Sequence, residues 1–183
     1  MNSTFYEFIN GGYMEKEISL LRETELFKNL SPEQIRKVLD ICRTVTFAEN
    51  DMIMKEEEFG DRMYIILQGT VEVIKKLIMD GVDEEEGNEK NKVFTRLDAS
   101  QHPVFGEISL LEESKRTATV RTITDCIFYE IKKEDFLRLA ESDYELGYRI
   151  LLNLAGIVSA RLRKANEDTI KLTTVLSMIL KES

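Results

Sequence analysis

The sequence predicts an α+β, mainly β protein: an antiparallel β-roll or jelly-roll-like barrel with flanking N-terminal helices and a long C-terminal helix. Between residues 43 and 131, short runs of β-branched and aromatic residues alternate with turn residues, which is typical of rolls and barrels. Outside that region, apolar residues recur three and four positions apart, the spacing of amphipathic helices. We expect an N-terminal helical segment (1–30), the β-roll domain (31–142) and C-terminal helices (143–183).

The N-terminal helices are indicated by apolar spacing and by one clear start signal. Residues 18–27 fit a short helix that ends in an apolar anchor, Leu26 and Phe27. A second helix is expected from Ser31, because serine caps a helix, Pro32 suits the first turn and Gln34 completes a capping box. Helical spacing then continues to about Cys42.

Seven short runs of β-forming residues are the expected strands of the roll: 44–47, 52–54, 63–67, 71–74, 92–97, 120–124 and 126–131. The tight turn 68–70 predicts that the strands on either side of it pair with each other as a hairpin. The polar run 80–91 is expected to form a long solvated loop. Its oxygen-bearing side chains do not have the spacing of an EF-hand, so we expect no calcium site there.

After the roll, residues 133–140 predict a short helix, and Ser142 with Glu145 forms the pattern of a second capping box. A long helix is expected from 143 to about 165, and the polar residues 163–168 are expected to end or bend it before another amphipathic helix at 170–180. One side of the long helix carries a heptad-like stripe: Leu151, Leu154, Val158, Arg161 and Ala165. Such a stripe either packs on its own domain or joins two copies, and we expect a homodimer through the C-terminal helix.

Residues 105–120 combine groups that suit a phosphate with a sugar beside it. They predict a strand end, a one-turn helix, a polar loop and a new strand. A helix N-terminus attracts an anion, and Gly106 allows a ligand to approach the backbone closely. Arg116, nine positions after Glu107, offers a charged planar fork for phosphate. Glu107 can accept hydrogen bonds from sugar hydroxyls.

This stretch resembles the phosphate-binding cassette of cyclic nucleotide-binding domains. The similarity is carried by the run Phe105-Gly106-Glu107, the short apolar helix 108–111 and the run 116–120, Arg-Thr-Ala-Thr-Val. The spacing from glutamate to arginine equals that of the cassettes in cyclic-nucleotide-dependent kinases.

An upstream block is similar to the same family. It consists of Phe59-Gly60-Asp61 and residues 64–73, where two glycines are expected to hold the corners of the β-roll. Residues 101–103, Gln-His-Pro, depart from the family, which usually has a glycine shortly before its Phe-Gly-Glu.

The resemblance implies a 3′,5′-cyclic nucleotide ligand, cAMP or cGMP, without a further cofactor. It implies that the phosphate lies on the short helix's amides and Arg116, that Glu107 accepts from the ribose 2′-hydroxyl, and that Thr117 lies near the base. The residues expected to line this site are Phe105, Gly106, Glu107, Ile108, Ser109, Arg116, Thr117 and Ala118. In the family the long helix closes on the base, and by helix counting Val158, Arg161 or Leu162 is expected to cap it.

Composition argues against several other functions. The net charge of −9 disfavours a nucleic-acid surface, and fewer than twenty residues follow Ala165, so we expect no DNA-binding helix pair. One histidine and two distant cysteines, Cys42 and Cys126, do not have the spacing of a metal site, and both cysteines are expected to be buried as small apolar residues. No apolar run is long enough for a signal peptide or membrane span, so the expected location is cytoplasmic.

Two functions remain open from the sequence. We see no catalytic constellation and therefore do not expect an enzyme. The first possibility is a cyclic-nucleotide sensor that signals through movement of its C-terminal helix and contact with a downstream protein that the sequence does not identify. The second is an adaptor that keeps the fold, binds no nucleotide and docks a partner through its C-terminal helices. The presence of both Glu107 and Arg116 favours the sensor.

Overall fold

The computed structural model of the chain describes residues 12–76, 91–101 and 103–181. Most of the predicted polar loop at 80–91 lies outside these residues, as do residues 1–11 and His102.

Two helices precede the roll, α1 (Gly12–Arg22) and α2 (Pro32–Leu39). The predicted capping box at the start of α2 is confirmed. The backbone N–H of Gln34 donates to the Ser31 hydroxyl at 3.2 Å, and the Ser31 N–H donates to the Gln34 side chain at 2.9 Å. The apolar anchor between the helices, Leu26 and Phe27, is buried.

The described residues form eight strands in two four-stranded antiparallel sheets. The strands are β1 (Arg43–Phe47), β2 (Met52–Met54), β3 (Arg62–Gln68), β4 (Thr70–Lys76), β5 (Asn91–Asp98), β6 (Val104–Phe105), β7 (Thr119–Thr122) and β8 (Cys126–Lys132). One sheet has the order β1-β8-β3-β6 and the other has the order β2-β7-β4-β5. The predicted mainly β roll is therefore confirmed.

The predicted hairpin around residues 68–70 is wrong. β3 pairs with β6 and β8, whereas β4 pairs with β5 and β7, so the turn carries the chain from one sheet to the other. Gly69 makes this corner with a φ of 90°. A Cβ there would lie only 2.9 Å from the Thr124 hydroxyl, because the corner packs against the turn between β7 and β8. A glycine turn between two β runs suits a hairpin and an inter-sheet corner equally well.

A one-turn helix, α3 (Ile108–Leu111), lies between β6 and β7, and two helices follow the roll, α4 (Lys133–Ser142) and α5 (Tyr144–Lys181). The predicted capping box at Ser142 is wrong, because Ser142 is the last residue of α4 and its hydroxyl donates to the Leu139 carbonyl. Asp143 caps α5 instead and accepts a 3.1 Å hydrogen bond from the Leu146 N–H.

The predicted end of the long helix at residues 163–168 is also wrong, since α5 is one continuous helix of 38 residues that includes the segment 170–180. The polar segment contains neither proline nor glycine, and its arginine, lysine, alanine and glutamate residues are good helix formers. Polarity without a backbone constraint does not stop a helix.

One apolar core joins the N-terminal segment, the roll and α5. It includes Leu21, Phe27, Met63, Ile65, Ile131, Leu146, Ile150 and Leu154. Contacts therefore cross both proposed domain boundaries, and the division at 30 and 142 stays a prediction. Cys126 is buried as expected, whereas Cys42 is only half-buried against this core.

The stripe predicted on the long helix does not form a single face. Leu154 is fully buried against its own domain, while Leu151 is 41% exposed. None of the helices in the described part of the chain is long and apolar enough to cross a membrane.

Candidate functional site

The cassette begins where β6 ends. Gly106 follows it with a φ of 74°, in the left-handed region that favours glycine, and leads into the one-turn helix α3 (Ile108–Leu111). A Cβ at Gly106 would lie 2.9 Å from the Arg62 carbonyl and 2.8 Å from a guanidinium nitrogen of Arg116. Glycine is therefore required both for the turn and for the close approach of Arg116.

Arg116 lies inside the cassette and is only 8% exposed to solvent. Its Nη1 donates to the Ser109 hydroxyl at 2.7 Å and to the Gly106 carbonyl at 3.3 Å. Its backbone is fixed by a pair of hydrogen bonds, from Arg116 N–H to the Glu58 carbonyl at 2.8 Å and from Glu57 N–H to the Arg116 carbonyl at 3.0 Å. Both the backbone and the side chain of Arg116 are thus held in place.

The charge of Arg116 is not balanced by an ion pair within the described residues. Burial lowers the pKa of its guanidinium, and the nearby charges of Asp61 and Glu107 only partly oppose this effect. A buried cation with only a hydroxyl and a carbonyl as partners is electrostatically incomplete. The arrangement therefore favours an anion beside Arg116.

Two backbone amides next to Arg116 are available to such an anion. The N–H groups of Ser109 and Leu110 donate to Gly106 and Glu107 carbonyls within the turn. The N–H groups of Glu107 and Ile108 make no hydrogen bond within the described part of the chain. The Ser109 amide, which is expected to bind the phosphate, thus already donates to the Gly106 carbonyl at 3.2 Å.

Glu107 is buried beside α3, with an exposed fraction of 4%. Arg161, from the middle of α5, donates to its Oε1 at 2.7 Å and to the Val104 carbonyl at 2.5 Å. The long helix therefore contacts the cassette at the carboxylate that is expected to bind the ribose, a link that the sequence analysis did not predict. Arg161 and Val104 also line a neighbouring cleft of about 550 Å³, together with Leu20, Leu26 and Ile157.

The other predicted site residues differ in how far they are buried. The Phe105 side chain does not lie beside Arg116 but in the interior of the roll, where it stacks on Tyr64 with the ring centroids 5.2 Å apart. Thr117 is exposed, whereas Ile108 and Ala118 are half-buried. Among the proposed base caps, Val158 is half-buried and Leu162 is 60% exposed, and Arg161 donates a hydrogen bond to Glu107 of the cassette.

Sequence reasoning missed the role of Gly60. The guanidinium of Arg116 packs directly against the backbone of Gly60. A Cβ at this position would overlap the guanidinium, so the side chain of Arg116 can take its observed position only because residue 60 is glycine. The pairing of Glu57 and Glu58 with Arg116 brings this loop to the cassette. Gly60 was recognised as a corner of the roll, but no local signal connects it to a residue 56 positions later.

A roll of two antiparallel sheets thus brings a buried arginine, two backbone amides and a buried glutamate together in one cassette. The cyclic nucleotide-binding domain family matches residues 44–143. The chain belongs to this family. Among the described residues, no group of three or more His, Cys, Asp and Glu side chains could hold a metal ion.

Known proteins similar to this chain include an ion channel and a kinase subunit. The potassium/sodium hyperpolarization-activated cyclic nucleotide-gated channel 4 of Homo sapiens is 33% identical over 147 residues, which cover 80% of this chain and 11% of the channel. The cAMP-dependent protein kinase regulatory subunit of Blastocladiella emersonii is 31% identical over 121 residues, 66% of this chain and 27% of the subunit. The chain therefore spans a small part of both relatives.

A solved cyclic nucleotide-binding domain from Methylobacillus flagellatus has the same fold. It superposes with a TM-score of 0.70 at 20% identity, and the match covers 86% of this chain and 82% of that domain.

Proposed function

We propose that the chain is a sensor that binds a 3′,5′-cyclic nucleotide, cAMP or cGMP, and regulates another protein. The observation that carries this proposal is the buried guanidinium of Arg116, which has no carboxylate partner among the described residues. A cyclic phosphodiester carries one negative charge and would complete this site. The names of the relatives, a cyclic nucleotide-gated channel and a cAMP-dependent kinase subunit, support the same ligand class.

In the proposed complex, the phosphate lies between Arg116 and the amides of Glu107 and Ile108. Ser109 acts by holding Arg116 at 2.7 Å, and Phe105 acts by fixing the strand end from the core. The ribose 2′-hydroxyl donates to Glu107. Thr117 and Ala118 follow Arg116, and the exposed Thr117 hydroxyl can contact the base.

The signal is proposed to be a movement of α5. Arg161 occupies Oε1 of Glu107, so a ribose hydroxyl that arrives at the same carboxylate weakens the link between α5 and the cassette. Arg161, with Val158 or Leu162 beside it, then caps the base. Only a ligand that interacts differently with the two positions of the helix can shift their balance.

We propose a regulatory rather than catalytic role, a homodimer formed through α5, and a downstream protein as the recipient of the signal. The absence of direct DNA binding and a cytoplasmic location remain predictions from the sequence.

The alternative is an adaptor that binds no nucleotide. One observation favours it: Glu107 is already paired with Arg161, so the carboxylate has a partner without any ligand. In that case the exposed apolar side of α5 would be the functional surface.

A thermal-unfolding panel with cAMP, cGMP and linear AMP separates the two functions. A sensor is stabilised by at least one cyclic nucleotide and not by linear AMP, because only the ligand that binds the folded state raises the midpoint. No shift with either cyclic nucleotide at millimolar concentration would favour the adaptor.

A further inference from the structure

Two carboxylates lie near the buried guanidinium of Arg116, and neither forms an ion pair with it. Burial lowers the pKa of Arg116, and the negative charges of Asp61 and Glu107 oppose this effect through space. Asp61 directly follows Gly60, whose backbone packs against the guanidinium. A buried arginine normally pairs with a carboxylate that lies so close, so another contact must hold each of these two acids.

Each of the two carboxylates is paired with a different arginine. Arg161 donates to Oε1 of Glu107 at 2.7 Å. Arg62 donates from Nε to Oδ1 of Asp61 at 3.1 Å. Both acids near Arg116 are therefore engaged elsewhere, and the charge of Arg116 stays uncompensated. The pair of Asp61 and Arg62 lies outside the cassette, and the function proposed above assigns it no role.

Arg62 is itself held by a second, buried carboxylate. Its Nη1 donates to Oε2 of Glu130 at 2.9 Å, and the Glu130 side chain is 6% exposed. Glu130 lies on β8, which pairs with β3, the strand that begins at Arg62. The rigid fork of a guanidinium can serve two acceptors at once. Glu130 therefore fixes Arg62 in the position from which it holds Asp61.

The pair of Asp61 and Arg62 contributes little to stability by itself, because the two side chains are 67% and 40% exposed. Its main consequence is the position of the negative charge. A carboxylate that moved from Arg62 to Arg116 would occupy the place that an anionic ligand requires. The Asp61 carbonyl accepts a 2.7 Å hydrogen bond from the Lys133 N–H, so the backbone is fixed and only the side chain is able to change partner.

We propose that Arg62 is a positioning residue of the ligand site, which holds Asp61 away from Arg116 and so keeps the guanidinium available to the ligand's phosphate. Glu130 acts through Arg62. The proposal rests on the proposed function, because its ligand is the cyclic nucleotide that binds at Arg116. Without Arg62, Asp61 pairs with Arg116, and the ligand must displace a carboxylate before its phosphate can bind.

A double-mutant cycle of Arg62→Gln and Asp61→Asn tests the proposal through the affinity for cAMP and cGMP. Calorimetry is performed at about 0.15 M salt, which screens the exposed charges beyond about 8 Å. Arg62→Gln should weaken binding by about fivefold, the upper range for a pair that includes an exposed carboxylate. Asp61→Asn should restore that loss in the Arg62→Gln background.

The decisive quantity is the coupling between the two substitutions. Asp61→Asn should strengthen binding about fivefold in the Arg62→Gln background and by less than about twofold in the wild type, where Arg62 already holds the carboxylate. Removing the two charges would have additive effects if they acted only through space, and a purely structural role of Arg62 would not be rescued by Asp61→Asn. Equal effects of Asp61→Asn in the two backgrounds would overturn the proposal.

Arg121→Gln is the matched control. Arg121 pairs with buried Glu72 on the other sheet, and their side chains are 42% and 8% exposed, close to those of Arg62 and Glu130. Both arginine variants leave a buried carboxylate without its partner and should be destabilised to a similar degree. Arg121→Gln should bind cyclic nucleotide normally, and a loss of affinity equal to that of Arg62→Gln would contradict the role of Arg62.

A variant with a neutral interior covers the case in which Arg62→Gln does not fold. Arg62→Gln with Glu130→Gln leaves no buried charge unpaired, and the comparison with and without Asp61→Asn is then made in that background. The same coupling is expected, because Asp61 again lacks Arg62. Its absence there would overturn the proposal as well.

The crystal structure of Arg62→Gln without ligand tests the step independently of nucleotide binding. An Asp61 carboxylate oxygen should lie within about 4 Å of a guanidinium nitrogen of Arg116, the distance of an ion pair. An Asp61 side chain that stays away from Arg116 would overturn the proposal. A wild type that binds neither cAMP nor cGMP would contradict the proposed function, and the structure would still decide whether Arg62 separates Asp61 from Arg116.

Discussion

Arg161 on α5 donates a 2.7 Å hydrogen bond from Nη1 to Oε1 of Glu107 in the cassette, 54 residues earlier in the chain. The carboxylate is buried, while the Arg161 side chain is 42% exposed. The pair joins the helix proposed to transmit the signal to the group proposed to recognise the ribose. In the proposed complex, Arg161 and the ribose 2′-hydroxyl would therefore compete for the same carboxylate.

This competition predicts that Arg161→Ala increases the contribution of the ribose 2′-hydroxyl to the free energy of ligand binding. Without Arg161, the hydroxyl donates to an otherwise unpaired buried carboxylate, and such a hydrogen bond contributes about 1.5–3 kcal/mol. The preference for cAMP over 2′-deoxy-cAMP should therefore rise to about tenfold or more. In the wild type the preference for cAMP over 2′-deoxy-cAMP should be smaller, because Arg161 already pairs with the carboxylate. Titration calorimetry with the two ligands measures both ratios.

Arg163→Ala is the matched control, because Arg163 is exposed on the same helix and has no ion-pair partner among the described residues. Its ratio should equal that of the wild type. An Arg161→Ala ratio equal to or below the wild-type ratio would contradict the competition.

Gly60→Ala should weaken cyclic nucleotide binding by about tenfold or more, because the new methyl group would displace the guanidinium of Arg116 and remove a charge-assisted contact. Gly156→Ala is the matched control, since a Cβ there has open space around it. That variant should bind normally and be more stable by about 0.5–1 kcal/mol, the usual gain from replacing glycine within a helix. Calorimetry and urea unfolding distinguish these results, and full affinity in Gly60→Ala would show that Arg116 does not bind the ligand from its observed position.

Asp143 links α2 to the start of α5 through a 2.8 Å ion pair with Lys37. The hydrogen bond from Lys37 and that from the Leu146 N–H lower the pKa of the Asp143 carboxyl. A lowered carboxyl pKa contributes stability above the unfolded value of about 3.9, and this contribution is lost as the pH falls through the folded value. Asp143→Asn should therefore be less stable than the wild type at pH 7, and the difference should shrink in acid.

Urea unfolding at neutral and acidic pH measures this effect. Asp40→Asn is the control, because the Asp40 carboxylate has no ion-pair partner among the described residues. A difference between wild type and Asp143→Asn that stays constant with pH would disprove the role of the ion pair.

The sequence predicted the local features of the cassette well. Gly106, Glu107 and Arg116 are close in the chain, and each has a residue type that the turn or the charge requires. The capping box at Ser31 is equally local. In each case the residues that make the contacts are within about ten positions of one another.

Predictions that depended on distant contacts were incomplete or wrong. The turn at Gly69 connects two sheets because of where β6 and β8 pair with β3, which the turn residues do not reveal. The stripe predicted on α5 wrongly included Leu154 and Arg161, which contact the chain's own roll. Helical spacing alone does not show which side of the helix the roll covers. The link between Arg161 and Glu107 likewise depends on the angle at which α5 crosses the roll.

Calorimetric titration of cAMP and cGMP into the wild type and Arg116→Ala tests the central claim most directly. The wild type should bind at least one of them, and Arg116→Ala should lose at least about tenfold in affinity, because a charge-assisted contact to the phosphate contributes roughly 1.5–3 kcal/mol. Arg138→Ala, which changes an exposed arginine on α4, should bind as the wild type does. Unchanged affinity in Arg116→Ala, or no binding of either nucleotide to the wild type, would contradict the assignment of the cassette as the ligand site.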